Sequence, residues 1–130
     1  MALTRLARRM WREVDLRLLL KFGYTFGWQG LRAVNRFKRR AARGQPTVPP
    51  FMFISLTNAC NLDCRGCWVT GGKSTVQLPR QTLHRIITAW RQEGCRFFGL
   101  LGGEPLLYKG LLDAVADYPD CYFQVFTNGT

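Results

Sequence analysis

From residue 51 onward the apolar residues fall into short runs, each closed by turn-forming residues. Phe51, Met52, Phe53, Ile54 and Leu56 dominate the first run, bounded upstream by Pro49 and Pro50, and it reads as a strand over 51–57. A second strand is predicted over 96–101, ending at Gly102, Gly103, Glu104 and Pro105, and a third over 121–126, ending at Thr127, Asn128 and Gly129. Between the strands the period changes. After Pro79, a first-turn proline, Leu83, Ile86, Ile87 and Trp90 recur at helical spacing until Gly94 stops them. Leu111, Leu112, Val115 and Tyr118 repeat the pattern, closed by Pro119. Alternation of strand and helix predicts an α/β fold with right-handed crossovers and parallel strands. Near-continuous apolar strands predict a sheet covered by helices on both faces. The loops after the strand carboxyl ends then share one face, where such folds bind ligands.

The first of those loops carries a chemistry. Cys60, Cys64 and Cys67 form a C-x3-C-x2-C spacing directly after the first strand. Three thiolates in one loop suit an iron-sulfur cubane with one iron left free of protein sulfur. A structural zinc site wants four ligands, usually as two pairs, and His84, Cys95 and Cys121 are scattered. A disulfide framework is disfavoured by the odd count of 5 cysteines and by the lack of a recognisable cleavable signal. His84 reads as a packed or solvated helix residue, and Cys95 and Cys121, at strand starts, as core. Asn58 and Asn61 are expected to shape the loop through side-chain to backbone hydrogen bonds. Two glycines beside a carboxylate, Gly102, Gly103 and Glu104, permit close backbone approach and offer an acceptor to an ammonium group.

With these three motifs in this order, residues 51–130 resemble the first part of a radical S-adenosylmethionine enzyme. The resemblance implies the first three βα units of a partial TIM-type barrel. It implies a [4Fe-4S] cluster on Cys60, Cys64 and Cys67, with S-adenosylmethionine chelating the fourth iron through its amino and carboxylate groups. The turn Gly102, Gly103, Glu104 would hold the methionine amino group. An electron donor would reduce the cluster, and reductive cleavage of the cofactor would give a 5'-deoxyadenosyl radical that abstracts hydrogen from a substrate. Members of the family frequently carry an aromatic residue just before the third cysteine; here Gly66 stands there and Trp68 follows, a candidate cover for the cluster. No residue is assigned as catalytic in its own right.

Charge divides the chain. Residues 1–50 hold twelve Lys or Arg against two acids, and residues 51–130 hold seven against six, so nearly all of the net +11 lies at the amino-terminal end. Leu3, Leu6, Met10 and Val14 fall near helical spacing among arginines, and an aromatic stretch over 22–37 is interrupted by Gly23, Gly27 and Gly30. Arg17, Lys21 and Arg32 break every window long enough to span a bilayer. With Trp11, Phe22, Phe26 and Trp28 the segment suits an anionic membrane surface, or else a helical extension packed on the domain. Nucleic acid would use the same charge, but no recognition motif accompanies it. The predicted organisation is a basic amphipathic helical extension over 1–43, a linker over 44–50 and the radical S-adenosylmethionine domain over 51–130.

A barrel of this family has six strand-helix units, and the chain ends after the third strand. The expectation is a truncated domain, or one completed by another chain. Thiolates kept free for a labile cluster call for reducing surroundings, which points to the cytoplasm, with the inner membrane face as a peripheral site. The alternative reading is a noncatalytic iron-sulfur or membrane-associated interaction module.

Overall fold

The computed structural model describes residues 4, 5, 9, 12–69 and 74–130. Leu3, Leu6, Met10 and Trp11 of the basic segment lie outside the described residues. Asp15 caps the first full helix, α1 (Leu16–Phe22), its carboxylate accepting from the Arg17 amide at 2.7 Å. The chain then runs through wider π-helical turns, Gly23–Gln29, into α2 (Gly30–Ala42). The glycines expected to interrupt this stretch do not. Phe22 and Phe26 stack at 5.2 Å, and their edges meet the rings of Tyr122 (6.1 Å) and Phe97 (5.8 Å). That packing outweighs the roughly 1 kcal/mol each glycine costs a helix.

Strands β1 (Phe51–Ser55), β2 (Phe97–Leu101) and β3 (Tyr122–Val125) form one parallel sheet in the order β1-β2-β3. Phe51 pairs with Phe97 and Phe97 with Tyr122, so the strands start level. Helices α3 (Arg80–Gln92) and α4 (Leu111–Ala116) make the crossovers. Pro79 stands just outside α3 as its cap, and Gly94, at φ +94°, turns the chain out of it. This is the α/β alternation predicted, with the amino-terminal helices added in front.

The core lies on one face of the sheet. Ile54, Leu56, Phe98 and Leu100 pack against Leu83, Ile87, Leu111, Ala114 and Tyr118, and Cys95 and Cys121 are buried among them. Each large apolar side chain hidden there contributes about 1.5–3 kcal/mol. Leu112, placed by pattern on the same helical face as Leu111, is 78% exposed, because Leu111, Ala114 and Tyr118 already fill that face. The opposite face of the sheet is less covered than the apolar strands predict. Phe51, Phe53 and Phe126 remain about half exposed there, and the Phe53 and Phe126 rings lie 5.7 Å apart over Gly99.

The amino-terminal helices sit at the start of the strands. Thr25 is buried, Arg40 pairs with Glu93 at 2.7 Å, and Arg36 donates to the Glu93 carbonyl at 2.9 Å. Arg91 grips Asp120 at 2.8 and 3.0 Å, tying α3 to the turn before β3. The carboxyl ends of the strands stay clear of these helices and carry the three motif loops.

Candidate metal centre

β1 leads past Leu56 and Thr57 into the cysteine loop, and a bridge between Thr57 and Gln77 closes the loop's far end. Asn58 clamps that closure. Its side chain accepts from the Val76 amide at 2.7 Å and donates to the Ser74 carbonyl at 3.0 Å. Within the loop Cys67 N donates to Cys64 O at 3.1 Å, and Gly66 takes φ +79°, a backbone state that favours glycine. The residue expected to be aromatic in the family is thus a glycine at a turn that requires one. Cys60, Cys64 and Cys67 are free and exposed, as are Arg65 and Trp68.

Among the described residues, no three His, Cys, Asp or Glu side chains converge on a single point as the ligands of one metal ion do. The chemistry of the donor set is three cysteines in one loop, the number that holds a cubane with one iron free of protein sulfur, whereas a structural zinc ion takes four ligands. Cys60 is the most closely held of the three. Its sulfur accepts from the Leu62 amide at 3.4 Å and lies 4.0 Å from the Asn128 side-chain nitrogen. Donors to a thiolate offset its charge and tune a bound metal.

The Gly-Gly-Glu turn lies directly against the entry to that loop. Gly103 N donates to Thr57 O at 2.8 Å and Glu104 N to Ala59 O at 2.7 Å. A Cβ on Gly102 would stand 2.6 Å from the Thr57 carbonyl oxygen, and one on Gly103 would meet the Ala59 carbonyl group and, at 2.9 Å, Asn58 O. The close approach that both glycines permit is therefore to the chain's own backbone. Among the described residues no hydrogen bond ends on the carbonyl oxygens of Gly102 or Gly103.

Glu104 is only 1% exposed. One carboxylate oxygen accepts from Leu106 N at 3.0 Å and the other from Asn128 N at 2.9 Å. Burial pushes its pKa up, but these two amides and the Thr127 hydroxyl outweigh burial, and the net displacement is down. A buried, ionised carboxylate thus binds the second motif to the third. Asn128 continues the connection, its side chain donating to Asn61 Oδ1 at 2.9 Å while Asn61 donates to Thr130 O at 3.1 Å. The Asn61 side chain makes the side-chain to backbone bond expected of it, but to Thr130 in another loop, so it links two loops as well as shaping its own. The part played by Asn128 was hidden by the commonness of Asn-Gly in turns; only its place after a third apolar strand marks it.

The sequence-predicted residues are therefore gathered at one end of the sheet by their own hydrogen bonds. His84 lies elsewhere, its ring nitrogen 2.9 Å from the Tyr118 hydroxyl between α3 and α4.

The profile of the Radical SAM superfamily matches residues 54–130, and the chain belongs to this superfamily. Among characterised proteins it is similar to GTP 3',8-cyclase of Paenarthrobacter nicotinovorans, 30% identical over an alignment 109 long, gaps included, that covers 77% of this chain and 28% of that protein. It is similar also to GTP 3',8-cyclase of Acidothermus cellulolyticus, 37% identical over an alignment 89 long that covers 59% of this chain and 25% of that protein. The chain thus spans about a quarter of the length of these relatives. No solved structure matches it significantly. Membership implies a [4Fe-4S] cluster, S-adenosylmethionine and an electron donor.

Proposed function

We propose that Cys60, Cys64 and Cys67 ligate three irons of a [4Fe-4S] cluster and that the Gly102, Gly103, Glu104 turn receives the amino group of S-adenosylmethionine at the fourth. When bound, the pair supplies reductive cleavage of the cofactor and a 5'-deoxyadenosyl radical able to abstract hydrogen from a substrate. The observation that carries this reading is the side chain of Asn128, which reaches both Cys60 and Asn61 while its amide is held by Glu104. All three motifs are thereby tied at one sheet end.

The chain's own groups have separable tasks. The Leu62 amide and the Asn128 side chain donate toward the Cys60 sulfur and temper its charge. The unmatched carbonyls of Gly102 and Gly103 are acceptors for an ammonium group, beside a carboxylate that stays ionised. Glu104 keeps this turn and the Asn128 turn in register.

In this reading residues 51–130 are the radical S-adenosylmethionine domain, 44–50 the connection and 1–43 a helical extension. The 77% match to the Paenarthrobacter protein is too long to fit within 51–130, so it takes in part of the extension. The cysteine loop calls for the reducing cytoplasm. Substrate identity is not carried over from the cyclases, because the chain spans about a quarter of their length. The second reading is a noncatalytic iron-sulfur or membrane-associated interaction module.

The test is anaerobic reconstitution with iron and sulfide, then an assay for 5'-deoxyadenosine with S-adenosylmethionine and dithionite. The expected result is about four irons per chain, lost in Cys64→Ala, and deoxyadenosine above that control. A full cluster in Cys64→Ala would sink the ligand assignment; a cluster without deoxyadenosine would favour the second reading.

A further inference from the structure

Independently of the cluster, we propose that the solvent side of the amino-terminal helices docks on an anionic lipid bilayer. Leu16, Leu20, Tyr24 and Trp28 recur every fourth residue through α1 and the π-helical turns, and they are 55%, 64%, 60% and 58% exposed. An α-helical step of four drifts one way around the axis and the wider π turn drifts back, so the four side chains form one straight row. The row is roughly 18 Å long. Between its members in sequence, Thr25 is buried, and the Phe22 and Phe26 rings, themselves 48% and 52% exposed, meet Tyr122 and Phe97. The segment is held through Thr25 and these ring contacts, no residue of α1 is buried, and Leu18, 56% exposed, adds to the apolar surface it presents.

Charge identifies what that face meets. Residues 16–50 contain eight Lys or Arg and no acid. Arg17 is exposed within α1, beside the row. Arg32 places its guanidinium 5.9 Å from the Trp28 ring and also lines a basic depression of about 500 Å³ with Arg36, Arg39, Arg40 and Arg43. A row of Leu, Tyr and Trp next to guanidinium groups matches the boundary of an anionic bilayer, where aliphatic chains enter the acyl layer, aromatic rings sit at headgroup level and arginines meet phosphate. Nucleic acid would match the arginines alone, since Leu16 and Leu20 offer nothing to phosphate or sugar. Among the described residues no helix is long and apolar enough to cross a membrane. The helices would accordingly lie flat on the surface.

The full chain is tested by co-sedimentation with phosphatidylcholine vesicles, with and without phosphatidylglycerol. Binding is expected only with the anionic lipid. Replacing Leu16, Leu20 and Tyr24 together by Ser, or Arg32 and Arg39 together by Ser, is expected to lower the partition coefficient by roughly tenfold or more. These side chains are exposed, and an unchanged circular dichroism spectrum verifies that both variants fold; Leu112→Ser, on the outer side of α4, should bind as wild type does. The proposal is overturned if anionic vesicles bind no better than neutral ones, or if the triple Ser variant binds equally well. It is overturned too if RNA binding or self-association, without vesicle binding, is what these residues support.

Discussion

Glu104 holds a negative charge almost completely out of water, and the chain supplies the donors that make this tolerable: two backbone amides and the Thr127 hydroxyl. Glu104→Gln keeps the size but sets an amide NH2 against one of those N–H donors, and we expect it to cost about 2–3 kcal/mol in chemical denaturation. The pH dependence has a definite sign. The folded pKa lies below the ordinary value of 4.5, so the charge stabilises fully above that value and the benefit disappears as pH falls through the folded value. The gap in unfolding free energy between wild type and Glu104→Gln should therefore be widest above pH ~5 and shrink on acidification. A gap that is independent of pH would mean that the carboxylate is not the stabilising species. None of this was legible in the sequence, where Glu104 appeared as an acceptor for a ligand. Its partner is a backbone amide 24 residues away, a contact that imposes no residue type and so leaves no trace in composition.

At the scale of elements, glycines separate into two kinds. Gly102 and Gly103 lie against the backbone of residues 57–59, whereas nothing stands within 4 Å of a Cβ placed on Gly23. Gly103→Ala is expected to destabilise by about 1–3 kcal/mol and to reduce iron incorporation, since only backbone can give way. Gly23→Ala, in helical conformation at φ −59°, is expected to stabilise by about 0.5–1 kcal/mol; thermal melting of the two variants should move in opposite directions. Strands and crossover helices were legible because each apolar run ends at Gly, Pro or Asn and each change of period is clear. The unbroken path from Leu16 to Ala42 was not, because Gly23, Gly27 and Gly30 read as stops and the cause of continuity, Phe22 and Phe26 on Tyr122 and Phe97, is tertiary. Alternation along β1 was masked in the same way: Phe51 and Phe53 are apolar yet half exposed, on the face opposite Ile54.

For the molecule as a whole, the two ends of the sheet have different characters. Basic helices cover the strand starts, and the reactive loop stands at the strand ends. The 5 cysteines divide accordingly. Burial raises the Cys95 thiol and pushes Cys121 up to about 11, while Cys60, Cys64 and Cys67 are exposed. Iodoacetamide at pH ~8 should therefore add to those three in the native, metal-free protein and reach Cys95 and Cys121 only after denaturation, a difference that intact mass spectrometry resolves. Modification of all five at equal rates would contradict the core described here. The bond between Asn128 and the cysteine loop also carries a consequence in time. The residues it joins are 68 apart, so at about 5–20 residues per second the ribosome delivers Asn128 roughly 3 to 14 s after Cys60. The loop thus emerges before the side chain that steadies its first thiol has been made, and in the growing chain Cys60 starts without that donor.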